Sequence, residues 1–272
     1  MEYEVGSYQM HYEIFGDATG EPLLWLSGWS GTGQDWSYIF RDAPSSFRLI
    51  GPDLRGNGAS TGFEGMHSFR QSARDVFALL DHLGVLRVKA IGLSGGGIVL
   101  LHMATQQPER LDTIIAISAP PRFPEQARAI QRQFSFESLP QAEKARMRER
   151  CKGGQKQIEW LVKQAQAMAE PSEDVNFTRE VLATITARTL IVFGDRDPLY
   201  PLGLAVELKE SIPRASLWIV PNGGHGPVFG SLAAAFAETA TSFLKGDWPK
   251  PLDPMGVAPD FHGTLESGLE LQ

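Results

Sequence analysis

The chain has 272 residues, 42% of them apolar and 21% charged, with a formal net charge of -7, which is enough to bury one large core and still carry an insertion. The acidic balance, with no run of Lys and Arg against it, excludes nucleic acid and anionic membrane as main partners. The start, Met1-Glu2-Tyr3-Glu4-Val5, lacks the features of a signal peptide, no stretch nears the ~18–20 apolar residues of a membrane helix, and the lone Cys151 excludes an internal disulfide, so a cytoplasmic protein is expected.

Residues 3–15 alternate around Gly6-Ser7 and predict a β-hairpin. Leu23-Leu24-Trp25-Leu26 is a continuous apolar run, hence a buried strand. Ser27-Gly28-Trp29-Ser30-Gly31-Thr32-Gly33 follows as a glycine-rich loop, with a helix expected from about Gln34. Phe47-Arg48-Leu49-Ile50 is the next strand and runs into a second glycine-rich loop, Gly51 to Ser60. Ser68–Leu83 has helical periodicity and stops at Gly84. Val88–Leu93, Leu111–Ser118, Thr189–Phe193 and Ser216–Val220 read as further strands, with helices after Ser94, over Pro201–Ser211 and over Phe229–Leu244. Strands alternating with helices predict a mostly parallel sheet covered on both faces. Residues 1–119 and 187–245 form that core.

Residues 120–186 break the alternation. They offer no convincing strand, only charged helical stretches over Phe123–Phe136, Gln141–Lys152 and Gln155–Ala169, and are expected to form a helical lid inserted at the strand ends. Residues 246–272 carry Pro249, Pro251, Pro254 and Pro259 and read as an irregular tail.

Chemistry concentrates at Gly92-Leu93-Ser94-Gly95-Gly96-Gly97. Ser94 stands where a buried strand stops and a helix starts, the context that turns G-x-S-x-G into a nucleophile elbow. A sharp turn there projects the hydroxyl beyond the sheet, and glycines on both sides relieve the crowding. A merely flexible loop would need neither the strand before it nor the helix after it.

A serine hydroxyl needs a base beside it. Of six histidines, His11 lies in the hairpin, His82 and His102 lie inside helices, His67 precedes a helix as a cap or surface residue, and His262 lies in the tail. His225, in Pro221-Asn222-Gly223-Gly224-His225-Gly226-Pro227 after the last strand, emerges at the same sheet end as Ser94. The base needs an orienting carboxylate, and Gly194-Asp195-Arg196-Asp197-Pro198 offers Asp195 and Asp197. Cys151 follows several cations that would lower its pKa, yet no partner histidine accompanies it. No metal-ligand cluster is visible, and neither metal nor organic cofactor is expected.

The order Ser94, Asp197, His225, each in a strand–loop context, resembles the α/β-hydrolase superfamily over about residues 3–245. The resemblance implies Asp197 as the acid and Asp195 as a structural residue. It implies an oxyanion hole built from the backbone N–H groups of Gly95 and Trp29. The family's His-Gly-x loop reads Ser27-Gly28-Trp29 here, which leaves open how the loop is held. The charges of Asp53-x-Arg55-Gly56-x-Gly58-x-Ser60 would brace the surrounding loops. The resemblance further implies hydrolysis of carboxylic esters or lactones. Gly-Leu-Ser-Gly-Gly-Gly and Pro-Asn-Gly-Gly-His-Gly-Pro are similar to integron-borne serine esterases, some of which open 16-membered macrolides. The same triad serves aminopeptidases, for which Glu125, Glu137 or Glu143 would hold the substrate amine, and carbon–carbon hydrolases. A ligand receptor without turnover is the reading outside enzymology. Ser94 at the elbow, where epoxide hydrolases and dehalogenases carry Asp, disfavours those two. The partner expected is a small ester or lactone, and the sequence leaves the oligomeric state open.

Overall fold

The apolar runs settle into one sheet because both of its faces are covered. In the structure, a computed structural model that describes residues 1–40 and 46–248, the strands are β1 Glu2–Val5, β2 Tyr8–Gly16, β3 Glu21–Leu26, β4 Phe47–Pro52, β5 Val88–Leu93, β6 Leu111–Ile117, β7 Arg188–Gly194 and β8 Ala215–Val220. Their order is β1-β2-β4-β3-β5-β6-β7-β8. Only β1–β2 and β2–β4 pair antiparallel; every other pairing is parallel. This is the mostly parallel sheet the sequence predicts. The expectation for the tail falls outside the described residues beyond Trp248, as does His262.

The helices are α1 Phe69–His82, α2 Gly95–Gln106, α3 Glu125–Arg132, α4 Gln141–Arg150, α5 Gly154–Ala167, α6 Arg179–Leu182, α7 Leu202–Ser211 and α8 Ala233–Lys245. Successive strand residues point to opposite faces. Leu24, Leu26, Ala90, Ile114, Ile191 and Phe193 therefore join one core with α1, α2 and α7. Leu23, Trp25, Ile91, Ile115, Leu190 and Val192 join the other with α8. Helix α1 shows how locally this is encoded. Ser68 caps it by accepting from Gln71 N at 3.1 Å, Ala73, Val76, Phe77 and Leu80 line its buried stripe, and Gly84 ends it at φ +68°.

The helix expected from Gln34 is a 3-10 segment, Gly33–Tyr38. Its first residue lies backbone to backbone against Gly51, which leaves no room for a Cβ at either position. Residues 120–186 hold α3 to α6 and a single bridge, Arg122 to Asn176. Helix α3 is shorter than the periodicity suggests, because extended Pro124 starts it late and the chain turns off after Arg132. Helix α6 is a single turn that the sequence reading passed over. Phe177 N donates to Pro121 O at 2.9 Å, so the outgoing and returning chains lie side by side.

Polar side chains of the segment fasten it to the sheet-end loops. Gln157 Nε2 donates to Gly56 O at 2.9 Å, and Trp160 Nε1 donates to Gly65 O at 2.9 Å. Gly56, at φ +74°, packs so tightly on the Trp160 ring that a Cβ would collide with it. Asp174 accepts from Phe69 N at 2.6 Å, Arg70 N at 3.1 Å and Ser68 Oγ at 2.8 Å. A carboxylate from the helical segment thus satisfies unpaired N–H groups at the α1 N-terminus and meets its positive dipole end. Asp174→Ala is expected to cost about 1–3 kcal/mol of unfolding free energy. Urea denaturation of the two proteins checks this, with Asp174→Asn falling between them because it keeps one acceptor oxygen.

Candidate active site

Strand β5 delivers Ser94 to the sheet edge, and the turn there is tight. Ser94 has φ +50° and ψ -116°, a strained combination for a residue with a side chain. Two backbone bonds hold it: Ser94 N donates to Ile117 O at 2.8 Å, and Ile98 N donates to Ser94 O at 2.9 Å. The flanking glycines are needed sterically. A Cβ on Gly92 would lie 2.6 Å from Gly96 O, one on Gly97 2.6 Å from the Ala119 Cβ, and one on Gly96 would strike the Leu26 carbonyl.

The loops after β7 and β8 bring the other two groups in. Gly194 and Gly223 approach backbone to backbone, with no space for a Cβ on Gly194. Arg196 N donates to Gly223 O at 2.9 Å and Asp195 N to Val220 O at 3.2 Å. Asp197 is thereby turned inward. Its Oδ1 accepts from Leu199 N at 2.8 Å, while its Oδ2 lies 2.9 Å from His225 Nδ1. His225 Nε2 lies 2.8 Å from Ser94 Oγ. A carboxylate presents Nδ1 with lone pairs only, so Nδ1 carries the hydrogen and Nε2 accepts from the serine hydroxyl. The Asp197 side chain is fully buried and that of His225 is 28% exposed, so the carboxylate is sealed while the imidazole faces the site. Asp195 is exposed, and its side chain makes no hydrogen bond among the described residues.

Trp29 N lies 3.6 Å from where a Gly95 Cβ would stand. Neither Trp29 N nor Gly95 N donates to another group among the described residues. The serine that replaces the family's histidine holds this loop by its own bonds. Ser27 Oγ accepts from Trp25 Nε1 at 2.9 Å and donates to Thr32 O, and Ser30 N donates to Asn57 Oδ1 at 2.8 Å. Asp53 accepts from Gly33 N and Ala59 N, both at 2.8 Å, and Arg55 grips Asp75 through two nitrogens. These charges do brace the loops.

A cavity of about 350 Å³ opens over Ser94 and His225. Its inner wall is apolar, with Phe69, Ile98, Phe123 and Leu199, and α3 and α4 add Gln131, Glu143, Arg146 and Arg150 at the outer side. Of the three glutamates considered for holding an amine, only Glu143 lines the cavity, and it is paired with Arg146 at 2.8 Å. Trp29 both lines the cavity and packs on Trp160, ring centroids 6.2 Å apart. Cys151 is buried beside Phe136 and Met147, and burial pushes its thiol up to about 11, overriding Arg150. The lowering expected from the neighbouring cations does not occur, because desolvation of the thiolate is the larger effect. Among the described residues, no group of three or more His, Cys, Asp or Glu is placed to hold a metal ion.

Residues 21–231 match the model of the alpha/beta hydrolase fold family. The chain belongs to this family. The RutD protein of Variovorax paradoxus strain S110, provisionally named a carbamate hydrolase, is 25% identical over 273 residues, covering 86% of this chain and 96% of its own. The pimeloyl-[acyl-carrier protein] methyl ester esterase of Vibrio campbellii is 24% identical over 246 residues, 81% of this chain and 93% of its own. Among solved structures, the enol-lactonase of Burkholderia xenovorans LB400 superimposes with a TM-score of 0.74 at 21% identity, covering 90% of this chain and 100% of that one.

This α/β hydrolase carries one site group that the sequence reading misplaced. His67, expected as a cap or surface residue, is enclosed. It meets the Trp29 ring edge-on at 4.9 Å and the Phe69 ring at 4.7 Å, with Trp160 beyond at 6.2 Å. Neither ring nitrogen has a partner or solvent contact. Burial drives its pKa down to about 4 from the usual 6.5. Little in the local sequence signals this, because only Phe69 is near in the chain while Trp29 and Trp160 come from distant segments. The sign of the linkage follows. The unfolded chain protonates near pH 6.5 and the folded ring only near 4, so folding stability is lost as pH falls through that window. The loss is on the order of 3 kcal/mol at 1.36 kcal/mol per unit. Chemical denaturation across that range is expected to show a steeper acid loss in the wild type than in His67→Phe.

Proposed function

We propose that this protein is a serine-dependent hydrolase of carboxylic esters or lactones, working through an acyl-enzyme on Ser94. The observation that carries the reading is the unbroken chain from Ser94 Oγ through His225 to Asp197, with two free N–H groups beside the serine. As Oγ attacks the carbonyl carbon, its proton passes to His225 Nε2. Asp197 holds the ring in the right tautomer and stabilises the imidazolium. The oxyanion forms between Trp29 N and Gly95 N, each such donor being worth about 3–4 kcal/mol in the transition state. His225 then protonates the leaving oxygen, and water repeats the sequence to free the acid. Residues 120–186 act as the lid over this site.

The ester and lactone class is supported by the pimeloyl methyl ester esterase among the relatives, and the cavity fits it. Its inner wall is uncharged, and its single lining glutamate is already paired with Arg146. An aminopeptidase would need that carboxylate free for the substrate amine. The narrow case within the class, from the likeness of the elbow and His225 loops to macrolide esterases, is the lactone ring of a 16-membered macrolide.

Ser94→Ala is expected to lower turnover of an aryl ester by about 10³–10⁶, since triad members act as a unit. Near wild-type activity in that variant sinks the mechanism. Asp197→Asn is expected to cripple the protein while exposed Asp195→Asn leaves kcat/KM close to unchanged; the reverse result would reassign the acid. Mass spectrometry of aryl esters, simple lactones, prolyl peptides and a 16-membered macrolide then defines the substrate. The expected product is the starting mass plus one water, absent with Ser94→Ala.

A further inference from the structure

Tyr200 stands at the reacting centre without a task. It follows Asp197 by three residues, and its backbone N–H donates to Asp197 Oδ1 at 3.3 Å. The residue is 4% exposed, yet it lines the cavity above Ser94. Its ring meets the His225 imidazole edge-on at 5.2 Å and lies near-parallel to the Phe123 ring at 6.4 Å. Two aromatic neighbours and a backbone anchor therefore fix where the phenol points. Its phenol shares the cavity lining with Ser94 and, among the described residues, closes no hydrogen bond of good geometry. Ser94 Oγ gives its own hydrogen to His225, and with no such bond closed the phenolic hydrogen is free to meet a bound substrate. Burial, and behind it the Asp197 carboxylate, push the phenol well above its usual pKa, so it stays a donor at any working pH.

The position of this donor limits what it can bind. Strand β5 lies between β3 and β6 in the sheet. Trp29 N comes from the loop after β3, whereas Tyr200 comes from the loop after β7 and Asp197. The two approach Ser94 from opposite flanks. A carbonyl oxygen held by Trp29 N and Gly95 N is therefore on the far side from the phenol. His225 must reach the leaving atom to protonate it, and Tyr200, in ring contact with that imidazole, lines the cavity on the same flank.

Building on the ester-hydrolase reading, we propose that the Tyr200 hydroxyl donates a hydrogen bond to the leaving-group oxygen as the acyl C–O bond breaks. In that step the C–O electron pair moves to the leaving oxygen, the carbonyl re-forms, and His225 Nε2 delivers the proton. Tyr200 keeps its own proton and stabilises the developing alkoxide until the transfer is complete. The contact needs a lone pair on the leaving atom, so it favours oxygen leaving groups and does nothing for a carbon one.

The test compares two esters with the same acyl group, an ethyl ester and a 4-nitrophenyl ester, by kcat/KM in wild type and Tyr200→Phe. An ethoxide leaving group needs the donor; nitrophenolate, already stable as an anion, does not. The variant is expected to lose about tenfold to a hundredfold on the ethyl ester and less than about threefold on the nitrophenyl ester. Equal losses on both, or none on either, overturn the proposal, because a packing role scales the two alike. The ratio of the two rates within one preparation is independent of how much of the variant folds. A wild type that turns over neither ester refutes the ester-hydrolase reading itself, whereas an active wild type with an unchanged ratio refutes only the role of Tyr200.

Discussion

The structure depends on how closely the backbone of Ser94 is packed against its neighbours. A non-glycine residue at φ +50° is costly, about 1–3 kcal/mol for such a conformation, and it persists only if its surroundings admit no alternative. Here β6 takes the Ser94 N–H, the first turn of α2 takes its carbonyl, and Gly92, Gly96 and Gly97 let three backbone segments touch. The strain puts the hydroxyl above the sheet and aims the unpaired N–H at the start of α2 toward the same point. One local distortion thus positions a hydroxyl and a backbone donor together.

The same device recurs where the other groups enter. Gly194 against Gly223 joins the loops that carry Asp197 and His225, and Gly33 against Gly51 sets the loop behind Trp29. Each is a place where two strands end close together and only a residue without a side chain fits. Asp53, Arg55 and Asn57 then tie the second glycine-rich loop to its surroundings through charged or amide hydrogen bonds. The site is therefore a set of loops fixed by backbone contact and polar bracing on a rigid sheet. Placement to a few tenths of an ångström is plausible chemistry only on such a support, because catalytic geometry tolerates little looseness.

Much of this was legible in the sequence, and the reason is physical. Buried parallel strands are mostly apolar runs, as β3, β5, β6 and β7 are, so their places along the chain and the sheet end they share could be read directly, whereas their order across the sheet could not. Ser94 and His225 stood out because each follows such a run in a loop rich in glycine, whereas the loop after β7 offered Asp195 and Asp197 alike and only the family resemblance pointed to Asp197. What stayed hidden depends on contacts between distant segments. His67 looked like a cap or surface residue because its enclosure is completed by Trp29 and Trp160, from distant parts of the chain. Tyr200 gave no sign of its place because its surroundings, Phe123 and His225, come from other loops. The ends of α3 were set by Pro124 and by the turn after Arg132, where helical periodicity carries no information. Asp174 gave no sign that it would cap a helix more than a hundred residues earlier.

Charge in the cavity narrows the kind of molecule it admits. Four polar groups, Gln131, Glu143, Arg146 and Arg150, border it, but the charged ones are already neutralised: Glu143 by Arg146, and Arg150 by Asp35 at 2.6 Å. A charged substrate would have to break one of these pairs to gain an ionic contact: the exposed Glu143–Arg146 pair returns little for the exchange, and opening the largely buried Arg150–Asp35 pair strands a carboxylate. Toward Ser94 the wall turns apolar, where an unpaired charge would be costly to bury. The fixed polar features that remain at the centre are hydrogen-bond donors: Trp29 N, Gly95 N and the Tyr200 hydroxyl. They suit a group that is neutral in the ground state and gains negative charge on its oxygens during reaction. An ester meets that description at both of its oxygens, which is the ground on which that class is proposed.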